Sequence, residues 1–415
     1  MLSLEKFSAE ELEKIRAKAL LAREYIDINI REFDHYPGYR LPIAGATYPG
    51  IWLEHIQDTL FLCDYDPEAA WDAIRFFMDR QREDGLIPFM TLIHDESCFW
   101  HLQTVWGFAR AALETAKKIG RPDEDLKRIY HAGCAYDRYL QMHRDRVGSG
   151  LVEMYCEWDT GHDNDRRVTD GGIPQTCPGN DAGNMPDLEV MPILSVDLSA
   201  ARYGGLDALA ELAEILGMAE NAAMHRQQAE HLKQKMRELL YDPEDEFYYD
   251  RSPQGLRKYR TEHITRVFLN RVCDQEEFDR IYHRYFEDPE EFMTAFPYPS
   301  VSVSDPSFDR NCPQNSWGSN SQSMTSLRAM LWLEHYGRMD EKKALLLRWV
   351  RAFLNEENIF GQEIVPFTGL PPEGPVVRRG YMPAVLLFLL GAKELGIELP
   401  DAAGKAPQAE KCRQA

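Results

Sequence analysis

The chain has 415 residues, of which 44% are hydrophobic and 11% aromatic, and this composition can support a large buried core. Its 47 Lys and Arg residues against 68 Asp and Glu residues give a formal net charge of −21, which repels nucleic-acid phosphates and anionic lipid surfaces. We therefore expect a soluble globular protein with neither nucleic acid nor membrane as its partner.

The N-terminal stretch "MLSLEKFSAEELEKIRAKALLARE" is charged and helical, and it lacks the apolar segment of a signal peptide. No later run approaches the roughly 18 apolar residues of a membrane span. The eight cysteines are scattered without a CxxC pair, which favours reduced thiols in a cytoplasmic protein over zinc or disulfides. Neither G-x-G-x-x-G nor a P-loop is present, so no cofactor is expected.

Helical periodicity dominates the chain. Apolar residues recur at spacings of three and four, which predicts helices over 9–32, 66–82, 99–119, 123–143, 186–216, 219–240, 274–286, 318–337, 340–355 and 381–396. Strand signals are few, and "EFYYD" and "PSVSVSD" are the best of them. The protein is expected to be all-α.

Tight turns between these helices alternate with long loops rich in aromatic, acidic, Gly and Pro residues, and long loops of this kind are usually functional. Composition is uniform up to the polar tail at 401–415, which predicts one domain over 1–400. Helical hairpins with functional loops on one side predict a toroid. A flat solenoid fits the periodicity equally well, but no fixed-period repeat supports it.

The stretch "CEWDTGHDNDRR", residues 156–167, concentrates acids in a turn-forming composition. Glycoside cleavage requires a protonated carboxyl group, and crowding Glu157, Asp159, Asp163 and Asp165 beside Trp158 favours one. The alternatives are a solvated acidic loop, or a cation site made of the three aspartates. The stretch lacks a Gly and a terminal Glu at the offsets that a calcium loop requires.

If the acidic loop supplies a general acid for glycoside cleavage with inversion, a second carboxylate about 6.5–9.5 Å from it would have to activate water. Glu363 lies in the Pro- and Gly-bounded loop "FGQEIVPFTGLPPEG", ahead of the last apolar helix. Glu356, Glu357 and Glu373 compete with it, and an ordinary exposed loop acid is the alternative interpretation.

The segment "YPGIWLEHIQD" offers the components of a sugar pocket, namely an indole beside carboxylates. Trp52 is the indole, although core packing explains it about as well. Glu54 and Asp58 stand four residues apart on one helical face, so either could contact the sugar. His55 is expected to be a structural hydrogen-bond partner.

Several of these motifs resemble one enzyme group. "TGHDNDRR" is similar to the E-S-G-x-D-N-x-x-R loop of the six-hairpin inverting glycosidases that comprise trehalases, glycoside hydrolase family 63 and mannosylglycerate hydrolases. "PILSVDLSA", "LLYDPEDEFYYD", "FPYPSVSVSDP" and "QEIVPFTGLP" follow in that group's order, and the similarity runs from about Tyr48 to Gly396. The resemblance implies an (α/α)6 barrel.

The resemblance also implies roles. Asp163 would be the general acid and Glu363 the general base, while Asn164 and Arg166 or Arg167 would hold sugar hydroxyls. The implied activity is inverting hydrolysis of an α-glycosidic bond, of α-glucosidase or α-mannosidase type. The chain has room for little beyond the barrel, which favours a small glycoside or disaccharide.

Where processing glucosidases carry Y-W-R-G-P-x-W, this chain has "CPQNSWGSNSQSM". Trp317 is the one indole kept there, and Gln314 or Asn315 replaces the arginine. The sugar contacts at this point are therefore expected to differ from those of the glucosidases.

Where the group often shows Y-P-W-S, this chain has "PVVRRGYMP", with Arg378, Arg379 and Tyr381. Adjacent arginines beyond the proposed base suggest an anionic group on the substrate, as in a glycosylglycerate. The alternative interpretation is that these are ordinary solvent-exposed arginines on an acidic protein.

Other functions on the same barrel type are a sugar 2-epimerase or an unsaturated uronyl hydrolase. An epimerase would need histidine bases on late helices, yet only His335 follows His283. A non-enzymatic helical scaffold is the third alternative, but it has no reason to gather Trp, acids and Gly in several long loops. The oligomeric state is not predicted.

Overall fold

A computed structural model describes residues 7–311, 317–373 and 379–399. The α-helices of these ranges are α1 Ala9–Asn29, α2 Asp58–Leu62, α3 Pro67–Asp79, α4 Phe108–Ile119, α5 Asp123–His143, α6 Arg166–Thr169, α7 Val196–Ile215, α8 Ala219–Leu239, α9 Ile264–Leu269, α10 Gln275–Ile281, α11 Ser323–His335, α12 Met339–Phe353 and α13 Met382–Glu394. A π-helical turn over Tyr282–Phe286 continues α10.

Six of the helices form a closed inner ring. Each contacts the next in the order α2, α4, α7, α9, α11 and α13, and α13 returns to α2. Helices α1, α3, α5, α8 and α12 pack outside this ring, and α10 joins them through Phe278, whose ring lies 4.8 Å from that of Phe268 in α9. The arrangement is an (α/α)6 barrel, as the resemblance implied.

Local sequence explains which helices lie inside. Ten of the 13 residues of α13 are buried, because "MPAVLLFLLGA" is apolar on every face. In α8 only five of 21 residues are buried, and its other faces are charged. Helix α3 begins where the Asp66 side chain accepts the Ala69 N–H, and α4 ends at Gly120 with φ +71°.

The predicted helices agree with the structure except at two kinds of place. The short inner helices α2 and α9 were missed, because five or six residues do not complete enough turns to show a period. The helices predicted from 99, 186 and 318 begin later, at Phe108, Val196 and Ser323. The stretches before them are buried loops, and their apolar residues reflect burial rather than helix.

The strands are short and mostly pair antiparallel between loops. They are β1 Ile30–Phe33, β2 Tyr36–Pro42, β3 Gly50–Trp52, β4 Met90–Leu92, β5 Glu153–Met154, β6 Ile193–Leu194, β7 Tyr241–Asp242, β8 Phe247–Tyr248, β9 Asp250–Ser252, β10 Gly255–Arg257, β11 Ser321–Gln322 and β12 Glu363–Ile364. The largest sheet has the order β10-β9-β6-β5. "EFYYD" contains β8 as predicted, whereas "PSVSVSD" forms only isolated bridges from Pro299 and Val301.

The long loops that precede the inner helices meet at one end of the ring. The loop before α2 carries Trp52, the loop before α7 carries Asp163, and β12 before α13 carries Glu363. None of the described helices is long and apolar enough to cross a membrane. The single-domain boundary at 400 stays a prediction, and the tail at 401–415 lies outside the described residues.

Candidate active site

A pocket that is open to solvent lies where these loops meet. The residues that line it are Ala44, Tyr48, Trp52, Glu54, His55, Gln103, Gly161, Asp163, Trp317, Met324, Gln362 and Tyr381. Five predicted site residues are therefore brought together here, namely Trp52, Glu54, Asp163, Trp317 and Tyr381.

One wall of the pocket is aromatic. The ring of Tyr48 lies 5.9 Å from that of Trp52 and 6.5 Å from that of Tyr381, edge-on in both cases. Trp317 stands on another side, where its ring packs on that of the buried His162 at 4.8 Å. Indole and phenol faces of this kind suit the apolar faces of a sugar ring.

Glu54 presents the first carboxylate. Its Oε1 lies 3.3 Å from Arg328 Nη2, and its Oε2 accepts a 2.7 Å hydrogen bond from Gln103 Nε2. Gln103 holds this position with φ +45°, an unusual conformation for a residue with a side chain. Glu54 and Asp58 are both buried, but Glu54 lines the pocket, whereas Asp58 lies behind it, in a separate cavity.

The acid loop, residues 156–167, is held by hydrogen bonds at its start and within the loop. The N–H groups of Glu157 and Trp158 donate to the carbonyls of Pro174 and Gln175 across the loop. Beyond the 3₁₀ turn at Glu157–Asp159, Glu157 Oε1 accepts the Asn164 N–H at 2.6 Å. This bond holds Asn164 in its left-handed conformation, with φ +62°.

Asp163 directly precedes Asn164. It lines the pocket and is half-buried. Its carbonyl oxygen accepts the Trp317 N–H at 2.9 Å. Neighbouring Asn164 is exposed, and Trp158 packs 5.8 Å from His101 without lining the pocket. Those two predicted sugar contacts are therefore not part of the pocket wall.

The three aspartates of the loop do not converge on a cation. Asp159 is buried and accepts a 2.8 Å hydrogen bond from Arg144 Nη1. Asp165 is the N-cap of α6 and accepts the Arg167 N–H at 2.9 Å. Burial raises the pKa of Asp165 to about 7. Each aspartate thus has a different task, and only Asp163 turns to the pocket.

One group of potential metal ligands occurs among the described residues, namely Cys156, Asp159 and Cys177. Their ligand atoms lie within 4.8 Å of one another. The carboxylate of Asp159, however, already binds the guanidinium of Arg144 and the Leu102 N–H. Because the arginine supplies the positive charge, this group does not fit a metal site.

A buried polar network supports the acid loop from below. His162 Nδ1 accepts from Arg167 at 3.1 Å, and its Nε2 lies 2.5 Å from Glu262 Oε1. Arg167 also binds Asp197 and Asp250, each at 2.8 Å. Burial lowers the pKa of His162 to about 3, so its imidazole is neutral. The buried ion pairs make this floor rigid and keep Arg167 away from the pocket.

Glu363 is the second predicted catalytic residue, and it is only 1% exposed. The pairing of β11 with β12 places it opposite Gln322, whose Nε2 donates to Glu363 Oε2 at 2.9 Å. Its neighbour Gln362 lines the pocket. The competing acids Glu356, Glu357 and Glu373 are all exposed.

Tyr48 lines the pocket, and the charges of three carboxylates act on its phenol. Burial raises the pKa of its phenol well above the usual value, and the charges of Asp163, Glu363 and Glu54 raise it further. The charges of all three carboxylates therefore act on one hydroxyl group. Tyr48 was not predicted, because one tyrosine in a Gly/Pro turn carries no distinctive signal.

The predicted arginines that lie within the described ranges do not line the pocket. Arg166 is exposed and pairs with Asp170 at 2.9 Å. Arg379 is exposed as well, and its charge lies near Tyr25 of α1, where it opposes the larger effect of burial on the phenol's pKa. Arg378, Gln314 and Asn315 lie outside the described residues.

Comparisons with known proteins agree with this architecture. The family model described as a mannosylglycerate hydrolase MGH1-like glycoside hydrolase domain matches residues 58–376. The mannosylglycerate hydrolase MGH1 of Selaginella moellendorffii is 26% identical over 147 residues, which are 31% of this chain and 30% of the plant protein. The chain thus aligns with less than a third of that relative's length.

Solved structures extend the likeness to most of the chain. The glycoside hydrolase family 63 mannosylglycerate hydrolase from Thermus thermophilus, in complex with Tris and D-glycerate, has a TM-score of 0.72 and 16% identity, over 90% of this chain and 99% of that one. The neutral trehalase of Saccharomyces cerevisiae has a TM-score of 0.64 and 14% identity, over 90% and 79%.

At such identities the structural likeness concerns the fold, and it confirms the (α/α)6 barrel. The match of the family model covers most of the chain and carries the assignment. The chain belongs to the mannosylglycerate hydrolase MGH1-like family of glycoside hydrolases, enzymes that hydrolyse glycosidic bonds.

Proposed function

We propose that the protein is an inverting glycoside hydrolase that cleaves an α-glycosidic bond in a small glycoside, with Asp163 as the general acid and Glu363 as the general base. One observation carries the proposal. The half-buried Asp163 lines an indole-lined pocket together with Tyr48, the buried Glu363 directly follows the lining residue Gln362, and the charges of both carboxylates act on the phenol of Tyr48.

In the reaction, Asp163 gives its proton to the glycosidic oxygen while the bond from that oxygen to the anomeric carbon breaks. Glu363 takes a proton from the water whose oxygen attacks the same carbon from the opposite face. The leaving alcohol keeps the proton of Asp163, and solvent restores both carboxyl groups. Gln322 holds Glu363 Oε2 during this step.

The remaining pocket residues would position the sugar. Trp52 offers a platform, and Glu54 offers acceptor oxygens to ring hydroxyls. Because Arg328 and Gln103 hold the Glu54 carboxylate, its direction is set before the sugar binds.

For the aglycone, the names of relatives favour glycerate. One neighbour is a mannosylglycerate hydrolase solved with D-glycerate, and the family model is named for the same activity. The arginines predicted to hold a carboxylate give weaker support, because Arg379 is exposed outside the pocket wall. A neutral glycoside or disaccharide is the second candidate. The cytoplasmic location stays a prediction.

A sugar epimerase on the same barrel lacks support from histidine placement. His283 is exposed. His335 ends the 13-residue helix α11, about 20 Å from the pocket end of that helix. Neither residue is placed to exchange a proton with a sugar in the pocket.

Release of free monosaccharide tests the proposal. The purified protein is offered mannosylglycerate, glucosylglycerate, the corresponding glycosylglycerols and trehalose. We expect hydrolysis of at least one of these α-glycosides. Isomerisation of free monosaccharide without hydrolysis of any glycoside would favour the epimerase instead.

The charge of the aglycone is tested separately, by comparing kcat/KM for a glycosylglycerate and for its glycosylglycerol. A preference for the acid that is lost through a raised KM in Arg379→Ala would support an anionic substrate. Arg284→Ala, which removes an exposed arginine of the outer ring, is the matched control. Equal constants on the parent enzyme would leave a neutral glycoside as the substrate.

A further inference from the structure

A line of three polar side chains leads from the pocket into the protein. The Tyr381 hydroxyl lies 3.2 Å from His55 Nε2, and His55 Nδ1 faces Asp58 Oδ2 from 3.5 Å. Tyr381 and His55 line the pocket, whereas Asp58 lies in the adjoining buried cavity among side chains such as Ile56 and Phe77. His55 forms part of the wall between the two.

Asp58 has few other partners. Its Oδ1 accepts from Gln57 Nε2 at 3.3 Å. Its Oδ2 has no hydrogen-bond partner among the described residues, so the facing His55 nitrogen is the group placed to satisfy it. A buried carboxylate oxygen without a partner is costly, so its place beside this histidine calls for a reason.

The protonation of His55 decides which of its ring nitrogens can donate to Asp58 and which can accept from Tyr381. Burial lowers the pKa of His55 to about 3, so the imidazole is neutral and carries one N–H. Burial raises the pKa of Asp58 to about 7, so Asp58 is a carboxylate above that pH. A carboxylate can only accept, so ionised Asp58 favours the tautomer with the proton on Nδ1. Nε2 is then an acceptor, and the Tyr381 hydroxyl must donate to it.

We propose that Asp58 is a positioning residue for the substrate: acting through His55, it directs the Tyr381 hydroxyl hydrogen into the wall, so that the Tyr381 oxygen accepts a hydrogen bond from a sugar hydroxyl. The sulfur of Met324, 3.3 Å from the same hydroxyl, is a much weaker acceptor than an imidazole nitrogen and does not compete. The inference rests on the proposed function in taking a sugar as the ligand.

Asp58→Asn should reverse the direction of the hydrogen bonds from residue 58 through His55 to Tyr381, while the shape of the side chain changes little. An amide can donate to Nδ1, which moves the imidazole proton to Nε2 and turns the Tyr381 hydrogen towards the pocket. A sugar hydroxyl that had donated to the tyrosine loses its acceptor. We expect binding of the free monosaccharide product, measured by calorimetry with glucose and with mannose, to weaken about tenfold.

A double-mutant cycle tests the route. Tyr381→Phe should weaken monosaccharide binding by a similar factor, and adding Asp58→Asn to it should weaken binding no further, because the only path runs through the missing hydroxyl. In steady-state kinetics the loss should fall on KM, with kcat changed less than about twofold. Asp125→Asn, a buried aspartate of the outer helix α5, should leave binding unchanged.

His55→Phe keeps the ring but removes the acceptor, and it replaces Asp58→Asn in the cycle if that variant does not fold. Losses that add in the double variant would overturn the inference, and so would unchanged binding in Asp58→Asn. Additive losses would mean that Asp58 acts on the Arg328–Glu54 pair instead. Because monosaccharide binding is measured without hydrolysis, failure here is distinguishable from failure of the proposed reaction.

Discussion

Gly161 lies directly against the carboxylate of Glu54. A Cβ atom built on Gly161 would come within 2.6 Å of Glu54 Oε2, and Gly161 has φ +71°. The proposed general acid Asp163 follows two residues later. The acid loop therefore rests on a carboxylate that is itself held by Arg328 and Gln103.

Gly161→Ala should lower activity by displacing either Glu54 or the acid loop. We expect kcat/KM to fall by about tenfold or more, because small displacements of a catalytic group are costly. Gly172→Ala is the matched control, since Gly172 has φ +73° and its added Cβ meets nothing within 4 Å. Both variants carry similar backbone strain, so equal activities would show that the contact with Glu54 has no role.

Asp163→Asn should abolish hydrolysis while the fold is kept, because the amide is nearly isosteric but has no acid proton to give. The expected loss of kcat is about 10²–10⁴-fold on an α-glycoside. A glycosyl fluoride, whose leaving group needs no protonation, should retain most of its rate. Asp170→Asn in the same loop is the control, and a near-normal rate in Asp163→Asn would remove the assignment.

Glu363→Gln should also abolish hydrolysis, but through the water step. Glycosyl fluoride should therefore lose its rate in this variant, in contrast to Asp163→Asn. Glu357→Gln alters an exposed acid near the same loop and should behave as the parent. If the two glutamine variants are equally active, the base lies elsewhere.

Asp165→Asn should stabilise the protein at high pH. Burial raises the pKa of Asp165 from 3.8 to about 7, so the protonated folded state is favoured, and this contribution is lost as pH rises from about 4 to above 7. Asparagine keeps the N-cap of α6 but does not titrate. The gain over the parent should be near zero at pH 4 and on the order of 2–4 kcal/mol at pH 8.

Urea unfolding of both proteins at several pH values measures this difference directly, and other titrating groups cancel in the comparison. A gain that is the same at pH 4 and pH 8 would mean that Asp165 is ionised without cost in the folded protein.

The fold was predictable because its long helices and loop motifs appear in order along the chain. The order of the motifs predicted the barrel. Candidate site residues from "YPGIWLEHIQD", "CPQNSWGSNSQSM" and "TGHDNDRR" line the pocket, namely Trp52, Glu54, Trp317 and Asp163, although core packing explained Trp52 about as well and Asp58 competed with Glu54. Helices α2 and α9 were not predicted, because helices of five and six residues are too short to show a helical period.

The described arginines are where the predicted sugar contacts and the residues that line the pocket differ. Arg166 and Arg167 are adjacent, but successive residues of a helical turn point in different directions, so one is exposed and the other buried with Asp197 and Asp250. Gln103 and Tyr48 were missed for a related reason. The role of Gln103 comes from a long-range hydrogen bond to Glu54, and that of Tyr48 from the charges of three carboxylates distant in sequence, which no local pattern reveals.

The anomeric configuration of the first product tests the central claim most directly. Proton NMR of the early reaction mixture, recorded before mutarotation, should show the β-anomer of the sugar released from an α-glycoside. This result requires a water activated by a base such as Glu363 on the face opposite the leaving group. The α-anomer would instead indicate a covalent intermediate and a carboxyl pair about 5–5.5 Å apart, and would contradict the pairing of Asp163 with Glu363 as acid and base.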